Sequence, residues 1–435
     1  MEKLFKLKEH GTTVSKEVVG GITTFFAMAY IIFVNPSLLS MTGMDQNAVL
    51  LATCISAGIG TLLTAVLANV PFAQAPGMGL NAFFTYTVVL GMGYTWQQGL
   101  AIVFVSGLLF LLVTISPLRK MVIDAIPAPL KSAISAGIGL FIALIGLLNV
   151  GIVNVGGAVP DMSNIISGPA LLALIGLLIT GVLMAWNVKA AILIGIGITT
   201  LIGIPMGITV IPANLFENSF SLAPTFMQMD FNLLSLGILP LVTAIITFSI
   251  CDMFDTVGTL IGTAGNAGML NEKGELPRGD RALLADAIAT CVGACFGTST
   301  VTTFVESSTG ISEGARTGLS SIVVSLCFFA SIIIAPVAGI VPAAATAPAL
   351  IIVGILMLRA TTRIDWSDFE VAMPSFLTIA MMPFAYSITD GIGFGFISWV
   401  VIKLLRGKGK QVPVLMYVLS ALFVVMYILT GLQIG

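Results

Sequence analysis

Charge is what this chain has least of: only 9% of its 435 residues are Asp, Glu, Lys or Arg, against roughly 25% in a soluble domain. It has one histidine, His10, in the polar N-terminal stretch MEKLFKLKEHGTTVSKEVVGG. A histidine-built metal centre or catalytic triad within the apolar part of the chain is therefore excluded. The five cysteines, Cys54, Cys251, Cys291, Cys295 and Cys327, all stand in apolar context. Cys291 and Cys295 are one helical turn apart, and their expected role is small buried packing rather than metal binding. No metal or cofactor is implied. The strand-length alternation of a membrane β-barrel is missing. GxxxxGK[ST] is missing too, and with it any support for ATP-driven transport. No basic patch is large enough for nucleic acid. The N-terminal stretch has neither the apolar core nor the cleavage site of a secretory signal.

What is present is apolar sequence, 57% of the chain, in blocks near the ~20 residues that span a bilayer as a helix. The pattern predicts an all-α polytopic membrane protein with segments at 19–38, 48–69, 71–90, 97–116, 130–150, 166–186, 188–206, 235–265, 281–297, 298–316, 318–340, 344–360, 369–387 and 389–406. A further apolar stretch, 413–431, is expected either to span or to lie at the interface. Basic residues gather in the N-terminal tail, at Arg119, Lys120 and Lys131, at Lys273, Arg278 and Arg281, at Arg359 and Arg363, and at Lys403, Arg406, Lys408 and Lys410. The positive-inside rule places these in the cytoplasm, and the 207–232 connection then falls outside. Seven spans precede that connection and seven follow it with opposite orientation, an inverted 7+7 repeat of 14 segments. The letters carry traces of it. Thr24-Phe25 matches Thr247-Phe248 at an offset of 223, and Pro129-Leu130 resembles the stretch around Pro348 at 219. PFAQAPGMGLNAFF aligns with GTSTVTTFVESS at about 225, which sets Asn81 opposite Glu306.

Those last two stretches are broken segments, the third and tenth in order. Pro76, Gly77 and Gly79 prevent a regular helix before Asn81. The Thr/Val/Phe run before Glu306 reads as a short extended piece. Matched interrupted segments are the best sequence pointer to a transporter's binding site. Crossing near the midplane, they would free backbone groups for a flat, neutral ligand rich in donors and acceptors. Ionisable side chains at membrane depth are costly and usually mark a substrate or ion pathway. Here they are Asp252 and Asp255, three apart and on one side of a helix, and Glu306 in the second broken segment. Carboxylates accept N–H groups from a planar ligand edge, and the amide of Asn81 both donates and accepts. Burial favours the protonated acid, so Asp255, Asp252 or Glu306 is expected to exchange the coupling proton. A structural role, holding helices through neighbouring threonines, is the alternative for each acid, and an interhelical contact is the alternative for Asn81. Phe25, Phe83, Phe84 and Phe304 could stack on a ring or simply pack. A local Glu313–Arg316 ion pair is expected, as is capping or solvation of Asp286 near the 271–281 loop.

The stretches GITTFFAMAYIIFVNP, APGMGLNAFF, FDTVGTLIGTAG and TTFVESSTGISEGARTG resemble the nucleobase:cation symporter family of xanthine and uracil permeases, in its guanine/hypoxanthine/adenine permease branch. The similarity runs to about residue 408. It implies a cytoplasmic tail (1–18), a core domain (19–128 and 233–342), a gate domain (129–206 and 343–408), the outer connection (207–232) and a C-terminal apolar segment (409–435). It implies import of guanine, hypoxanthine or adenine by proton symport across the inner membrane, with a homodimer as the expected assembly. It carries a purine-binding role onto Asn81, Asp252, Asp255 and Glu306, with contacts at Gly79, Phe304, Thr303, Ser307 and Phe25. The xanthine and uracil branches carry a histidine in helix 8 or helix 1 and a Gln/Asn motif that this chain lacks, so their coupling scheme does not transfer. Acids and freed carbonyls would suit Na⁺ as well as a proton. The alternatives are a transporter of the same fold for another small solute, a pyrimidine or an anion, and, with less support, a membrane enzyme.

Overall fold

A computed structural model of the chain describes residues 2–117, 125–154, 161–162, 165–211, 220–271 and 276–431. Arg119, Lys120, Lys273 and part of the 207–232 connection lie outside the described residues. The main helices are α1 (Val14–Met28), α2 (Ile31–Leu39), α3 (Gln46–Leu63), α4 (Met78–Ala82), α5 (Trp96–Ile115), α6 (Ala128–Asn149), α7 (Gly168–Ala185) and α8 (Ala191–Gly203). They continue with α9 (Ile238–Asn266), α10 (Gly279–Phe296), α11 (Ser307–Ser312), α12 (Gly318–Ala330), α13 (Ala343–Leu358), α14 (Phe369–Phe384), α15 (Ile388–Leu405) and α16 (Val414–Gly431). Four short strands, β1 (Gln74–Pro76), β2 (Val153–Asn154), β3 (Asp161–Met162) and β4 (Val301–Thr303), make two antiparallel pairs, β1–β4 and β2–β3. Among the described residues, eight helical stretches are long and apolar enough to cross a membrane.

Helix starts are set by local chemistry. Thr13, Asp45 and Thr317 each accept a backbone N–H of the turn that follows, filling one of the donors a helix leaves open. Thr95 and Gln98 complete a capping box ahead of α5. Large apolar side chains such as Leu112, Leu178 and Phe384 face outward, which water would penalise and lipid does not.

The helices fall into two groups. In one, α3 packs on α12 and α10 on α5, while α1 lies against α12 and α9 against α5. In the other, α6 packs on α13 and α14, and α7, α8 and α15 complete the layer. Where α6 crosses α13, Gly139 and Gly354 face each other: a Cβ on Gly139 would sit 2.8 Å from the carbonyl oxygen of Gly354. Small residues at such a crossing let two backbones approach, the usual device of membrane helix packing. α16 runs back along α15, with Tyr417 bonded to the Gly409 carbonyl, Phe423 against Phe396 and Tyr427 bonded to the Asp390 carbonyl.

The two broken segments meet. β1 and β4 pair with Gln74 opposite Thr303 and Pro76 opposite Val301, and Gly77 N–H donates to Thr300 while Phe304 N–H donates to Ala73. Each strand is also clamped by a threonine. Thr61 Oγ1 donates to the Gln74 carbonyl and accepts its N–H, at 3.0 and 2.9 Å. Thr290 Oγ1 accepts the Val301 N–H at 3.2 Å and stands 3.1 Å from the Val301 carbonyl, which shares its single proton with Asp252. The ribbon therefore satisfies itself. The expectation that both broken segments free their backbone for a ligand is corrected for the strands, because buried N–H and C=O groups find partners where they can.

Candidate functional site

Glu306 stands just ahead of α11, half-buried beside exposed Val305. Its carboxylate is held from across the fold: the Tyr30 hydroxyl donates to Glu306 Oε1 at 2.7 Å. Tyr30 is 1% exposed and sits at the break between α1 and α2. Asp255, on α9, is half-buried as well, and it interacts electrostatically with Glu306. Two acids and a phenol thus converge where the second broken segment turns into a helix.

Asp252 points elsewhere. Three residues turn a helix by about 300°, so Asp252 and Asp255 share a side but not a direction. Asp252 is 1% exposed and accepts from Thr290 Oγ1 at 2.8 Å. Also beneath the ribbon is Asp286, which is fully buried and accepts from Gln74 Nε2 at 3.1 Å and Thr303 Oγ1 at 3.2 Å. Asp252 and Asp286 interact electrostatically, and each keeps one carboxyl oxygen without a hydrogen-bond partner. The expected capping or solvation of Asp286 is therefore corrected. It lies two turns inside α10 on the face toward β4, so the ribbon covers it rather than water. The expected Glu313–Arg316 pair is corrected too. Glu313 pairs with Lys189, and Arg316 donates to the Ile311 and Ala315 carbonyls, which lie within reach of its own turn.

The remaining expected residues surround this site in mainly structural settings. Asn81 is fully buried; its Oδ1 accepts from Ser299 at 2.6 Å, and its Nδ2 has no partner. Ser307 Oγ accepts the Ala73 N–H at 3.0 Å. Thr303 and Phe304 serve the ribbon and Asp286. Phe25 meets Phe328 edge-on at 5.2 Å. Gly79 faces α6: a Cβ there would lie 2.5 Å from Ile138 Cγ2. A cavity of about 370 Å³ bounded by Glu9, His10, Asn69, Arg278 and Arg316 touches none of the four acids.

Sequence reasoning missed Tyr30, Gln74 and the burial of Asp286. The repeat offset held a signal for Tyr30: it precedes Asp255 by 225 residues, the offset that sets Asn81 opposite Glu306.

Comparison with known proteins supplies the family. The chain is 41% identical to the adenine permease AdeP of Escherichia coli (strain K12) over 428 residues, covering 98% of this chain and 95% of that one. It is 42% identical to the guanine/hypoxanthine permease PbuG of Bacillus subtilis (strain 168) over 438 residues, covering 98% and 99%. Its fold is similar to the transmembrane domain of the cyanobacterial bicarbonate transporter BicA, with a TM-score of 0.66 at 17% identity over 86% of this chain and 97% of that one. Residues 15–394 match the permease family, so the chain belongs to that family and is a multi-pass membrane transporter, not an enzyme.

Proposed function

We propose that this chain imports purine nucleobases (guanine or hypoxanthine, with adenine as a further candidate) by proton symport across the cytoplasmic membrane. The observation that carries the reading is the pair of half-buried carboxyls, Asp255 and Glu306, at the junction of the paired broken segments. Carboxylates accept the N–H groups that line a purine's edges. The permeases AdeP and PbuG, similar along nearly the whole chain, are named for adenine and for guanine and hypoxanthine. The four acids Asp252, Asp255, Asp286 and Glu306 disfavour the anion alternative, because they would repel such a substrate. A proton shared among these acids while the purine is bound, and released on the other side, supplies the coupling.

The architecture we infer is a 14-segment inverted repeat whose core (19–128 and 233–342) and gate (129–206 and 343–408) move against each other, opening the site alternately to each side. The reciprocal packing of α3 on α12 and α10 on α5 supports it. So do the matching threonine clamps, Thr61 on Gln74 and Thr290 on Val301. Equilibrium binding of labelled hypoxanthine to purified protein tests the site. Glu306→Ala abolishes binding on this reading, and Glu306→Gln abolishes accumulation; wild-type behaviour in both would sink the role of Glu306.

A further inference from the structure

We propose that Tyr30 sets which purine edge the site prefers, by keeping one oxygen of Glu306 occupied; this rests on the purine reading above. The Tyr30 hydroxyl donates to Glu306 Oε1 at 2.7 Å. The ring is almost completely buried and is anchored where α1 gives way to α2, so the donor stays in place. Glu306 itself is half-buried, and the Tyr30 bond falls on Oε1 alone, so its two oxygens are not equivalent. A carboxylate with both oxygens free takes two adjacent N–H donors as a fork, the geometry that makes such pairs strong and selective. With one lone pair of Oε1 taken by the Tyr30 hydroxyl, that oxygen is the weaker of the two acceptors and a two-pronged contact is lopsided.

Purines differ in that respect. Guanine carries N1–H and an exocyclic amino group side by side on one edge; hypoxanthine carries N1–H alone there. A free carboxylate would reward guanine for its second donor, and a carboxylate whose Oε1 already accepts from Tyr30 rewards it less. Tyr30 therefore holds guanine back relative to hypoxanthine while fixing Glu306 for the single N–H both share. It is a positioning residue, acting on the ligand through Glu306.

The test is competition binding of hypoxanthine and guanine on the purified full chain, wild type against Tyr30→Phe. Loss of a hydrogen bond to a charged group weakens hypoxanthine binding about tenfold. Guanine, which gains an unshared second acceptor, weakens less or tightens, so the hypoxanthine-to-guanine Kd ratio rises by about fivefold or more. In a Glu306→Gln background the same substitution leaves the ratio unmoved, because the amide no longer presents two equivalent acceptors. Should Tyr30→Phe fail to yield monodisperse protein, 3-fluorotyrosine at this position keeps the shape, strengthens the donor and moves the ratio the other way. Equal weakening of both purines, or no change, overturns the role of Tyr30. Wild-type protein that binds neither purine overturns the purine reading itself.

Discussion

The place where Gly79 meets Ile138 offers a sharp test of how the two helix groups work together. A methyl added at Gly79 would stand 2.5 Å from Ile138 Cγ2, where ordinary carbon contacts begin near ~3.5 Å. Something must move by about an ångström. Ile138 cannot rotate its methyl away at low cost, because a β-branched side chain in a helix has one strongly preferred rotamer. The wedge acts between α4, beside the broken segment, and α6, in the other helix group. Overpacking of this kind costs about 1–3 kcal/mol, which shifts a two-state population by a factor of about 5 to 150. Gly79→Ala should therefore depopulate this arrangement and lower the initial rate of purine uptake by an order of magnitude, at unchanged protein level. Ile138→Ala added to it removes the obstructing methyl and restores the rate. The assay is initial-rate uptake of labelled hypoxanthine by cells expressing each variant, normalised to the amount of protein in the membrane. Undiminished uptake by Gly79→Ala refutes the steric argument. A loss that Ile138→Ala does not rescue also refutes it, and would return Gly79 to the direct purine contact expected from the sequence.

Other outcomes follow from the same geometry. Glu17 is fully buried and accepts the backbone N–H groups of Arg316, Thr317 and Ser320 at 2.7, 3.2 and 3.1 Å, so Glu17→Ala strands three donors around the start of α12 and should cost about 2–4 kcal/mol, read as a lower melting temperature in detergent. Thr61→Val and Thr290→Val each break one strand clamp and should each lower that temperature; Thr290→Val should do so further, because it also removes the donor to Asp252. Asp286→Leu leaves Gln74 Nε2 and Thr303 Oγ1 unpaired and should cost about 2–5 kcal/mol, whereas Asp286→Asn keeps an acceptor; size-exclusion profiles of the two variants compare them directly.

Much of the fold was legible because lipid imposes a severe rule: a crossing chain must satisfy its own backbone, so long apolar stretches become helices. The apolar blocks appear as helices and the extended run before Glu306 as β4, while the break is shorter than read, because α4 begins at Met78 and takes Gly79 into its first turn. The prominence of Glu306 and Asp255 was legible for a related reason, since acids in apolar sequence are rare. What the letters hid was direction. Asp252 and Asp255 look alike in sequence, yet the three-residue turn between them puts Asp252 under the ribbon and leaves Asp255 partly exposed. Asp286 lies only a few residues beyond the 271–281 loop, and its burial follows from β4 lying across α10, a tertiary fact. Tyr30 was hidden because a tyrosine in an apolar helix reads as packing, and its partner lies 276 residues away.

Proton-driven purine uptake through the Asp255–Glu306 site stands or falls on reconstitution of the wild-type chain and Glu306→Gln in proteoliposomes with an imposed pH gradient, acid outside. Labelled hypoxanthine should accumulate in the wild-type vesicles, collapse with a protonophore and be competed by guanine or adenine, while Glu306→Gln vesicles accumulate none. Uptake of a pyrimidine or an anion in place of every purine, or accumulation that survives both the protonophore and the loss of the Glu306 carboxylate, would contradict the account.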